Sequence, residues 1–483
     1  MKPILPLAFL ASFGGIAAAQ AGTLTVTTLA DAGAGSLRAA IEQANAAPGA
    51  DTIRFQNGLS GTITLTSGEI RIAEALSIEG PGVDRLTVAG TASNRIFLLD
   101  RSAGSRMTVT LSGFTLADGH AFDGGAIYSE DENLVLRGMR FTGNVAANRG
   151  GAIWMAEGDL TIEDSEMTGN AGNPNGQGTG GAVQFSAGTI RVVRSLIKQN
   201  SANFGGGMRI SSPRANAIIE DSLFLENVAN HTGGGLDAGT MSTFRISRSA
   251  FVGNTAGQPL GGAIEYAGAT DASAAAGVIE NSTFSGNQSL HQAGAASALS
   301  LESGTLYLRN STLAWNKTSP DLAPMGDGGT VHVASTSATL NVESTLFANN
   351  THGNAGLLVD ITRPTNGGAS ASVLNVSDSL LHAAPAIGAI NGTNLRNQFA
   401  VDALLAPLTV ENGRGFVPVH PLPANSPAID AGANPANLAT DQRGTGFSRT
   451  VDFDPCRRPL AQRTDVGAYE YRGDAIFCYG FND

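Results

Sequence analysis

The sequence predicts an all-β protein whose chain winds into a single-stranded parallel β-helix, with one turn of the coil in each repeat. Two markers recur along its middle. The first is a serine that is followed, at seven of its eight occurrences, by an asparagine five residues later. The second is a pair of glycines followed by a small and then an apolar residue. Successive serines lie 27 to 35 residues apart, so one part of each repeat keeps its register while the rest tolerates insertions, as in a solenoid.

The serine marker predicts both an interior column and a corner. The serines are Ser165, Ser195, Ser222, Ser249, Ser282, Ser311, Ser344 and Ser379, and the asparagines are Asn170, Asn200, Asn227, Asn254, Asn287, Asn316 and Asn349. We expect the asparagines to stack as a hydrogen-bonded amide ladder. Two places after each serine stands an apolar residue, and these are expected to stack inside the coil: Met167, Ile197, Phe224, Phe251, Phe284, Leu313, Leu346 and Leu381.

The glycine marker predicts a second corner in each repeat. The pairs begin at Gly124, Gly150, Gly180, Gly205, Gly233, Gly261 and Gly328. Glycine adopts backbone angles that a β-carbon forbids and lets successive turns approach closely. Each repeat is therefore two or three short strands joined by tight corners. A β-propeller is the main competing architecture, but its blades of about 40 residues are longer than these repeats.

The N-terminal part predicts an export signal and a capped first turn. Residues 1–21 contain Lys2, a short apolar stretch and an Ala-Gln-Ala cleavage pattern, which are typical of a secretory signal peptide. The apolar stretch is too short to span a bilayer. In residues 22–105 we expect an amphipathic helix over 35–45, with Ser36 as N-cap, covering the first rung. Short strands at 51–55, 61–65, 75–78 and 85–88 then begin the coil.

The β-helix repeats are predicted to span residues 106–390, and over roughly residues 110–350 they resemble a known family. Tetrads such as Gly124-Gly-Ala-Ile127 alternate with tetrads such as Phe251-Val-Gly-Asn254, and this alternation is similar to the repeat of the polymorphic outer membrane proteins. The resemblance implies a right-handed parallel β-helix displayed outside the cell. No run of amphipathic ten-residue strands after residue 390 predicts the membrane barrel in which members of that family commonly end.

The C-terminal part, residues 391–483, has a different character because prolines cluster there and Ala384 replaces the eighth asparagine. Its motifs, Asn425-Ser-Pro-Ala-Ile-Asp-Ala-Gly432, Thr440-Asp-Gln-Arg-Gly444 and Asp465-Val-Gly-Ala-Tyr-Glu470, resemble the choice-of-anchor Q module of secreted β-helix proteins. We expect this part to cap the last rung. Cys456 and Cys478 are the chain's two cysteines. In an exported protein we expect them to form a disulfide rather than a metal site.

Composition limits the possible partners. The formal net charge of −12 argues against nucleic acid or anionic lipid. After the predicted signal peptide the only lysines are Lys198 and Lys317, so a polysaccharide lyase of this architecture would use arginine as its base. No cofactor is expected, and calcium binding is left open. His120, His231 and His291 lie near loop glycines of different repeats and are predicted to be solvated.

Outward-facing positions are where a binding site is expected, because the apolar stack fills the interior. The residue four places after the first glycine of each pair should point outward. These positions are Tyr128, Trp154, Gln184, Arg209, Asp237, Glu265, Ala298 and His332.

Such a column has the composition of a glycan site. Tyr128 and Trp154 would form an aromatic platform. Asp237 and Glu265, on neighbouring rungs beside Arg209, would place two carboxylates at the separation that glycoside hydrolysis uses. Arg209 would alternatively bind a uronate carboxylate, or form only a cross-strand ion pair with Asp237.

A second column favours the structural interpretation. The residues before four successive serines are Asp164, Arg194, Asp221 and Arg248, which alternate in charge as a salt-bridge ladder would.

Two functions are consistent with these features. The first, which the sequence favours, is a secreted or cell-surface β-helix that is not an enzyme and has a binding, adhesive or structural display role, with glycans as a possible ligand. The alternative is a hydrolase or lyase that degrades acidic polysaccharides, with Arg209, Asp237 and Glu265 as its catalytic residues.

Overall fold

The computed structural model describes residues 21–47, 49–101, 106–258, 260–269, 275–290, 296–318, 329–353, 357–363, 372–383, 390–410, 416–450 and 463–472. The chain winds as a parallel β-helix, which confirms the predicted fold class. Each full turn has four faces: face 1 follows the serine, face 2 the asparagine, face 3 the glycine pair, and face 4 leads to the next serine. Among the described strands, one pairing is antiparallel, between Thr351–His352 and Leu357–Leu358.

Face 1 is a 13-stranded sheet and face 2 a 10-stranded sheet. The strands of face 1 are Gly61–Thr64, Leu86–Ala89, Thr115–Ala117, Arg140–Thr142, Glu166–Thr168, Leu196–Lys198, Leu223–Leu225, Ala250–Val252, Thr283–Ser285, Thr312–Ala314, Leu346–Ala348, Leu380–Leu381 and Gln398–Phe399. Those of face 2 are His120–Asp123, Val145–Arg149, Ala171–Gly172, Ser201–Ala202, Val228–Ala229, Thr255–Ala256, Gln288–Ser289, Lys317–Thr318, Thr351–His352 and Leu357–Leu358.

Faces 3 and 4 join into one 24-stranded sheet through the long strand Ala296–Arg309, which belongs to both. The other strands of face 3 are Ile70–Ile72, Phe97–Leu99, Ile127–Ser129, Ile153–Met155, Val183–Phe185, Met208–Ile210, Leu236–Ala238, Ile264–Ala267, Gly329–Val333 and Ile361–Thr362. Those of face 4 are Thr23–Val26, Asp51–Phe55, Leu76–Glu79, Thr108–Ser112, Asn133–Arg137, Leu160–Glu163, Gly188–Val193, Ala215–Glu220, Thr243–Ser247, Gly277–Glu280, Ala338–Glu343, Val373–Ser377 and Asn394–Leu395.

The predicted N-terminal helix is present and spans Leu37–Ala46. Ser36 is its N-cap, and its side chain accepts a hydrogen bond from the backbone N–H of Ala39. Leu37 and Ile41 are buried in the same apolar cluster as the first rungs. The helix therefore covers apolar surface of the first described rungs.

The interior and the asparagine corner follow the predicted stacking over most of the coil. Phe224 and Phe251 are parallel, with ring centroids 4.6 Å apart, and Phe251 and Phe284 lie 5.2 Å apart. At the corner, Asn170 donates to the side-chain oxygen of Asn200 through both its backbone N–H and its Nδ2, each at 2.9 Å. The same pattern links Asn144, Asn170, Asn200, Asn227, Asn254, Asn287, Asn316 and Asn350.

The turn after Ser344 departs from the prediction by one residue. Asn350, rather than Asn349, is the ladder member, and Phe347, rather than Leu346, pairs with Leu313 inside the coil. The backbone at Ser344 has a φ of 50°, which is the corner conformation found just before the serine in other turns. Leu346 instead packs outward against Leu422 and Val466 of the C-terminal part, because its strand face is covered there.

The amide ladder ends on a buried carboxylate. Asn350 donates through Nδ2 to Oδ1 of Asp360 at 3.4 Å, and the backbone N–H of Ala383 donates to Oδ2 at 2.7 Å. Burial raises the pKa of Asp360 to about 6. Ala384, where the sequence pattern lacks its asparagine, lies outside the described residues.

The second column forms two separate ion pairs at the corner before the serine. Arg194 Nε lies 2.7 Å from Asp164 Oδ1, and Arg248 Nε lies 2.7 Å from Asp221 Oδ1. All four residues have φ between 47° and 51°, so their side chains leave the tight corner in similar directions. Partly exposed pairs of this kind contribute about 0–1 kcal/mol each, which agrees with a structural role.

The cap prediction placed the C-terminal part over the last rung. In the structure this part also lies along the side of the coil. Its contacts reach back to face 1. His420 Nε2 lies 2.9 Å from Ser285 Oγ, and Gln442 accepts a hydrogen bond from Thr283 at 2.5 Å. Further along, Ala468 N–H donates to Thr312 Oγ1 at 2.9 Å. The segment therefore covers the outer surface of several turns.

Three predictions fall on residues that the structure does not describe: the signal peptide up to Gln20, the solvated position of His291, and the pairing of Cys456 with Cys478. Among the described residues, no helix is both long and apolar enough to cross a membrane.

Candidate functional site

The candidate residues lie side by side on face 3. Tyr128 pairs with Trp154, and the register continues through Gln184, Arg209, Asp237 and Glu265. We call these six residues the crevice column. The next position is Ser300 and not Ala298. Gly262 N–H donates to Ala296 O as Gly234 N–H donates to Gly261 O, so Ala296 takes the place of the first glycine in this turn. His332 follows Ser300, as expected.

A second row of side chains faces the crevice column from across the glycine corner. It consists of the residues immediately before the glycine pairs, and we call it the opposite row: Asp123, Arg149, Thr179, Phe204 and Thr232. Asp123 pairs with Arg149, and isolated bridges continue the alignment to Thr179 and Phe204. The sequence analysis missed this row because its members share no chemistry. Their constant position one residue before a glycine pair was the available signal.

Glycine at the corner is what allows the two rows to face each other. Gly233 has a φ of 65°, and a Cβ placed there would lie 2.7 Å from the Cα of Asp237. At Gly205 a Cβ would lie 3.0 Å from the Cβ of Arg209. Any larger residue would thus collide with the crevice column. The glycine marker therefore lies between two facing rows of side chains, and we call the region between them the crevice.

At the N-terminal end of the crevice, aromatic rings and guanidinium groups fill the space. The ring centroids of Tyr128 and Trp154 lie 4.5 Å apart. Arg95 lies over Tyr128 at 4.8 Å, and Arg149 lies over Trp154 at 4.3 Å. Trp154 is only 4% exposed. The sequence suggested an aromatic platform for a ligand. In the structure, Arg149 covers one face of the Trp154 indole and forms an ion pair with Asp123.

In the middle of the crevice, Arg209 is held from two sides. Its guanidinium carbon lies 5.0 Å from the centre of the Phe204 ring, and its Nε lies 3.3 Å from Asp237 Oδ2. Phe204 in turn stacks on His231, with centroids 4.5 Å apart. His231 thus packs against the crevice wall and is not the simple turn residue that the sequence suggested. The cation is fixed in place next to the two carboxylates.

The carboxylates of Asp237 and Glu265 occupy adjacent rungs and are poorly solvated. Asp237 is 6% exposed. Burial raises its pKa, while the charge of Arg209 and a hydrogen bond from Thr232 lower it. For Glu265, burial and then the charge of Asp237 raise the pKa, and the same Thr232 hydroxyl lowers it. Both groups are therefore shifted toward the protonated form, as expected for two carboxyls that share a site.

Several buried polar atoms along the crevice make no hydrogen bond within the described protein. They are Trp154 Nε1, Thr179 Oγ1, Gln184 Oε1, Arg209 Nε and Glu265 Oε2. The contact of Arg209 with Asp237 is thus an ion pair without a hydrogen bond from Nε. Buried polar groups in native proteins nearly always have partners. A row of them without partners indicates a surface that water or a ligand completes.

Other possible sites are less suited to a ligand. Two adjoining cavities of about 480 and 370 Å³ lie between the C-terminal part and the Asp164–Arg194 corner, and both are lined by Phe416. Four of the charged coil residues that line them, Asp164, Arg194, Asp221 and Arg248, already form ion pairs. Within the described ranges, no group of three or more His, Cys, Asp or Glu side chains is arranged to hold a metal ion.

Comparison with known proteins gives structural neighbours. No family model matches the chain, and no curated protein matches it, so the two family resemblances gain no support. Three solved structures are similar to this chain. An alginate lyase complex is 11% identical with a TM-score of 0.45, covering 85% of this chain and 92% of the other.

The other two structures are also polysaccharide lyases. A mannuronic acid specific polysaccharide family 6 lyase from human gut microbiota is 11% identical with a TM-score of 0.37, covering 74% and 86% of the two chains. A PL6 alginate lyase in complex with a trisaccharide is 13% identical with a TM-score of 0.39, covering 83% and 91%. Likeness at this level of identity concerns the fold alone.

Proposed function

We propose that the crevice binds an acidic polysaccharide and cleaves it, so that the protein is a polysaccharide lyase. The observation that carries this proposal is the pair of the buried Asp237 and the half-buried Glu265 on adjacent rungs, with Arg209 fixed beside it. Functional sites are where burial and neighbouring charges shift carboxyl pKa values in this way. The row of unpaired polar atoms next to the pair supports an occupied site.

The arrangement suits β-elimination from a uronate. Arg209 would bind the sugar carboxylate and, by neutralising it, acidify the adjacent C5–H. Asp237 in its ionised form would remove that proton, because burial makes it a stronger base than an ordinary aspartate while the neighbouring charge of Arg209 keeps its pKa lower than that of Glu265. The electron pair forms the C4–C5 double bond as the C4–O bond breaks. Glu265, whose pKa is raised further by burial and by the charge of Asp237, would in its protonated form supply the proton that the departing oxygen needs.

This proposal departs from the display role that the sequence favoured. A surface that only adheres to glycans has no need for two carboxyls with raised pKa values. Burying ionisable groups is costly unless they are paired, and Glu265 Oε2 has no hydrogen-bond partner in the described protein. The energetic cost is explained if the pair performs proton transfer.

Hydrolysis is the second candidate, favoured by the position of the carboxyls. Adjacent strands lie about 4.8 Å apart, which is close to the separation of about 5–5.5 Å found in glycosidases that retain configuration. In that reaction one carboxyl protonates the glycosidic oxygen and the other attacks the sugar.

We further propose that the protein acts outside the cytoplasm, at the cell surface or in the medium. The signal-peptide pattern of residues 1–21 supports this location. Edman sequencing of protein recovered from the culture medium or cell surface should begin near Gly22. An uncleaved N-terminus found in the cytoplasm would contradict this part of the proposal.

The test is a screen of the purified chain from Gly22 onward against polymers of guluronate, mannuronate, galacturonate and glucuronate. Elimination creates an unsaturated sugar, whose ultraviolet absorbance should rise. New reducing ends without absorbance would indicate hydrolysis, and binding without either product would support the display role. We expect Glu265→Gln to abolish cleavage and Glu226→Gln, at an exposed glutamate on another face, to leave it intact. If the protein neither binds nor cleaves any of these polymers, the proposal is wrong.

A further inference from the structure

We infer that the ligand of the crevice is an extended oligosaccharide lying parallel to the axis of the coil, held mainly on the N-terminal side of Glu265. This inference rests on the proposed function and adds the orientation of the substrate, its minimum length and the residues that bind its distal units. The residues are Gln184, Thr179 and Trp154, which lie away from the carboxyl pair.

The orientation follows from the register of the column. Trp154, Gln184, Arg209, Asp237 and Glu265 occupy five successive rungs. Four spacings of about 4.8 Å separate the first from the last, so the row is roughly 19 Å long. A ligand that reaches both Glu265 and Trp154 must therefore be extended along the coil axis. A single sugar cannot contact both ends.

The chemistry of the row fits sugar hydroxyl groups. Trp154 Nε1 can only donate a hydrogen bond, Gln184 Oε1 can only accept one, and the hydroxyl of Thr179 can do either. None of these three atoms has a partner in the described protein. Thr179 and Gln184 belong to the same turn but to opposite rows, so they lie on either side of the crevice. Hydroxyls on successive sugars can satisfy all three.

Along the crevice, the described polar atoms without a hydrogen-bond partner do not extend beyond Glu265 on its C-terminal side. Beyond Glu265 the column continues with Ser300 and His332, whose polar atoms are engaged. Ser300 Oγ donates to Glu302 at 2.6 Å, and His332 Nδ1 lies 3.0 Å from Thr362 Oγ1. At the other end the Tyr128 hydroxyl donates to Glu130 at 2.7 Å. Within the crevice, the described polar atoms that lack a partner thus lie between Trp154 and Glu265.

The experiment measures kcat/KM for a series of oligosaccharides, from two to six units, of the polymer that the wild-type protein cleaves best. Wild-type kcat/KM should rise with length until the distal rungs are filled. Gln184→Ala should lower it roughly 3- to 10-fold for the long oligomers, the effect of one lost hydrogen bond, and leave the shortest unchanged. Trp154→Phe, which keeps the ring under Arg149 but removes the N–H, should act in the same way.

Gln199→Ala is the matched control, since Gln199 is an exposed glutamine outside the crevice. It should not change the length dependence. Equal losses at every length, or no loss in either crevice variant, would overturn the inference while leaving the cleavage activity established. A wild-type protein that neither cleaves nor binds any polymer would instead overturn the proposed function. Thermal unfolding of each variant shows whether it is folded.

Discussion

At the scale of single residues, Glu265 illustrates how a catalytic role conflicts with stability. Between the ordinary glutamate pKa of about 4.3 and its raised value in the folded protein, the folded state binds more protons than the unfolded state. The free energy of unfolding therefore falls as the pH rises through this range. Replacing the carboxyl with a neutral amide removes this effect.

We accordingly expect Glu265→Gln to stabilise the protein at pH 8 by on the order of 1 kcal/mol, the scale of one pKa unit, and to have little effect at pH 4. Urea unfolding at both pH values measures the difference. Glu226→Gln, with its exposed side chain, should change neither value. Greater destabilisation of Glu265→Gln at pH 8 than at pH 4 would contradict the assigned pKa shift.

Thr232 offers a second test at this scale, because one hydroxyl lowers the pKa of both Asp237 and Glu265. Thr232→Val keeps the shape of the side chain but removes this hydrogen bond. The pKa of the base should rise, and the rising, low-pH limb of the pH profile of kcat/KM should move to higher pH. Thr232→Ser, which restores a hydroxyl, should recover the wild-type profile. A uniform loss of rate without a shift would assign Thr232 a purely structural role.

Residue positions in the crevice were predictable only where a marker fixed the register. Counting four places from a glycine pair located Arg209, Asp237 and Glu265 correctly on adjacent strands. In the long strand at 296–309 no glycine marks the corner, because Ala296 stands at the first-glycine position, so counting located Ala298 instead of Ser300. The opposite row was missed because its members share no chemistry, although each stands one residue before a glycine pair.

At the scale of structural elements, the amide ladder is the part most clearly encoded in the sequence. Each internal asparagine has its oxygen and its nitrogen engaged. Asn227 Oδ1 accepts from both N–H groups of Asn200, and its Nδ2 donates to Ile197 O and Asn254 Oδ1. The constant offset between serine and asparagine predicted the ladder, because it places each asparagine at the same corner of its turn. At Ser344 two neighbouring asparagines made the assignment ambiguous, and the buried Phe347 decided the register.

Asn227→Ala should therefore destabilise the coil by roughly 2–4 kcal/mol, since buried donors and an acceptor on both adjacent turns lose their partner. Asn216→Ala, on the outward side of face 4, is the control and should cost less than about 0.5 kcal/mol. Equilibrium unfolding in urea compares the two variants. Similar stabilities would show that water replaces the lost amide, and the ladder would then have little energetic importance.

At the scale of the whole molecule, the position of the C-terminal part was the main feature that the sequence did not predict. Its prolines and ordered motifs indicated a separate segment, but its contacts with Thr283, Ser285 and Thr312 join residues far apart in the chain. The repeat pattern predicts contacts between neighbouring turns, but it gives no information about packing between segments far apart in the chain. On the last strands of face 1, outward residues such as Ala314 and Leu346 are small or apolar, because the C-terminal part covers them.

His420 makes the attachment of this segment sensitive to pH. Its side chain lies between Ala406 O and Ser285 Oγ, at 3.0 and 2.9 Å, and against the ring of Trp315. Burial lowers the pKa of His420 to about 4. Between this value and the ordinary 6.5 or so, the unfolded or detached state binds more protons than the docked state. Docking is therefore weakened as the pH falls through this range.

We expect hydrogen exchange, corrected for its intrinsic pH dependence, to show less protection of residues 416–450 at pH 4.5 than at pH 7.5, while the rungs at 133–255 stay protected. Buried carboxyls with raised pKa values, such as Asp360, act in the opposite direction and stabilise the coil at low pH, so the segment should loosen before the coil does. His420→Gln should remove the pH dependence and His120→Gln should not. Loss of protection in coil and segment together would show that they unfold as one unit.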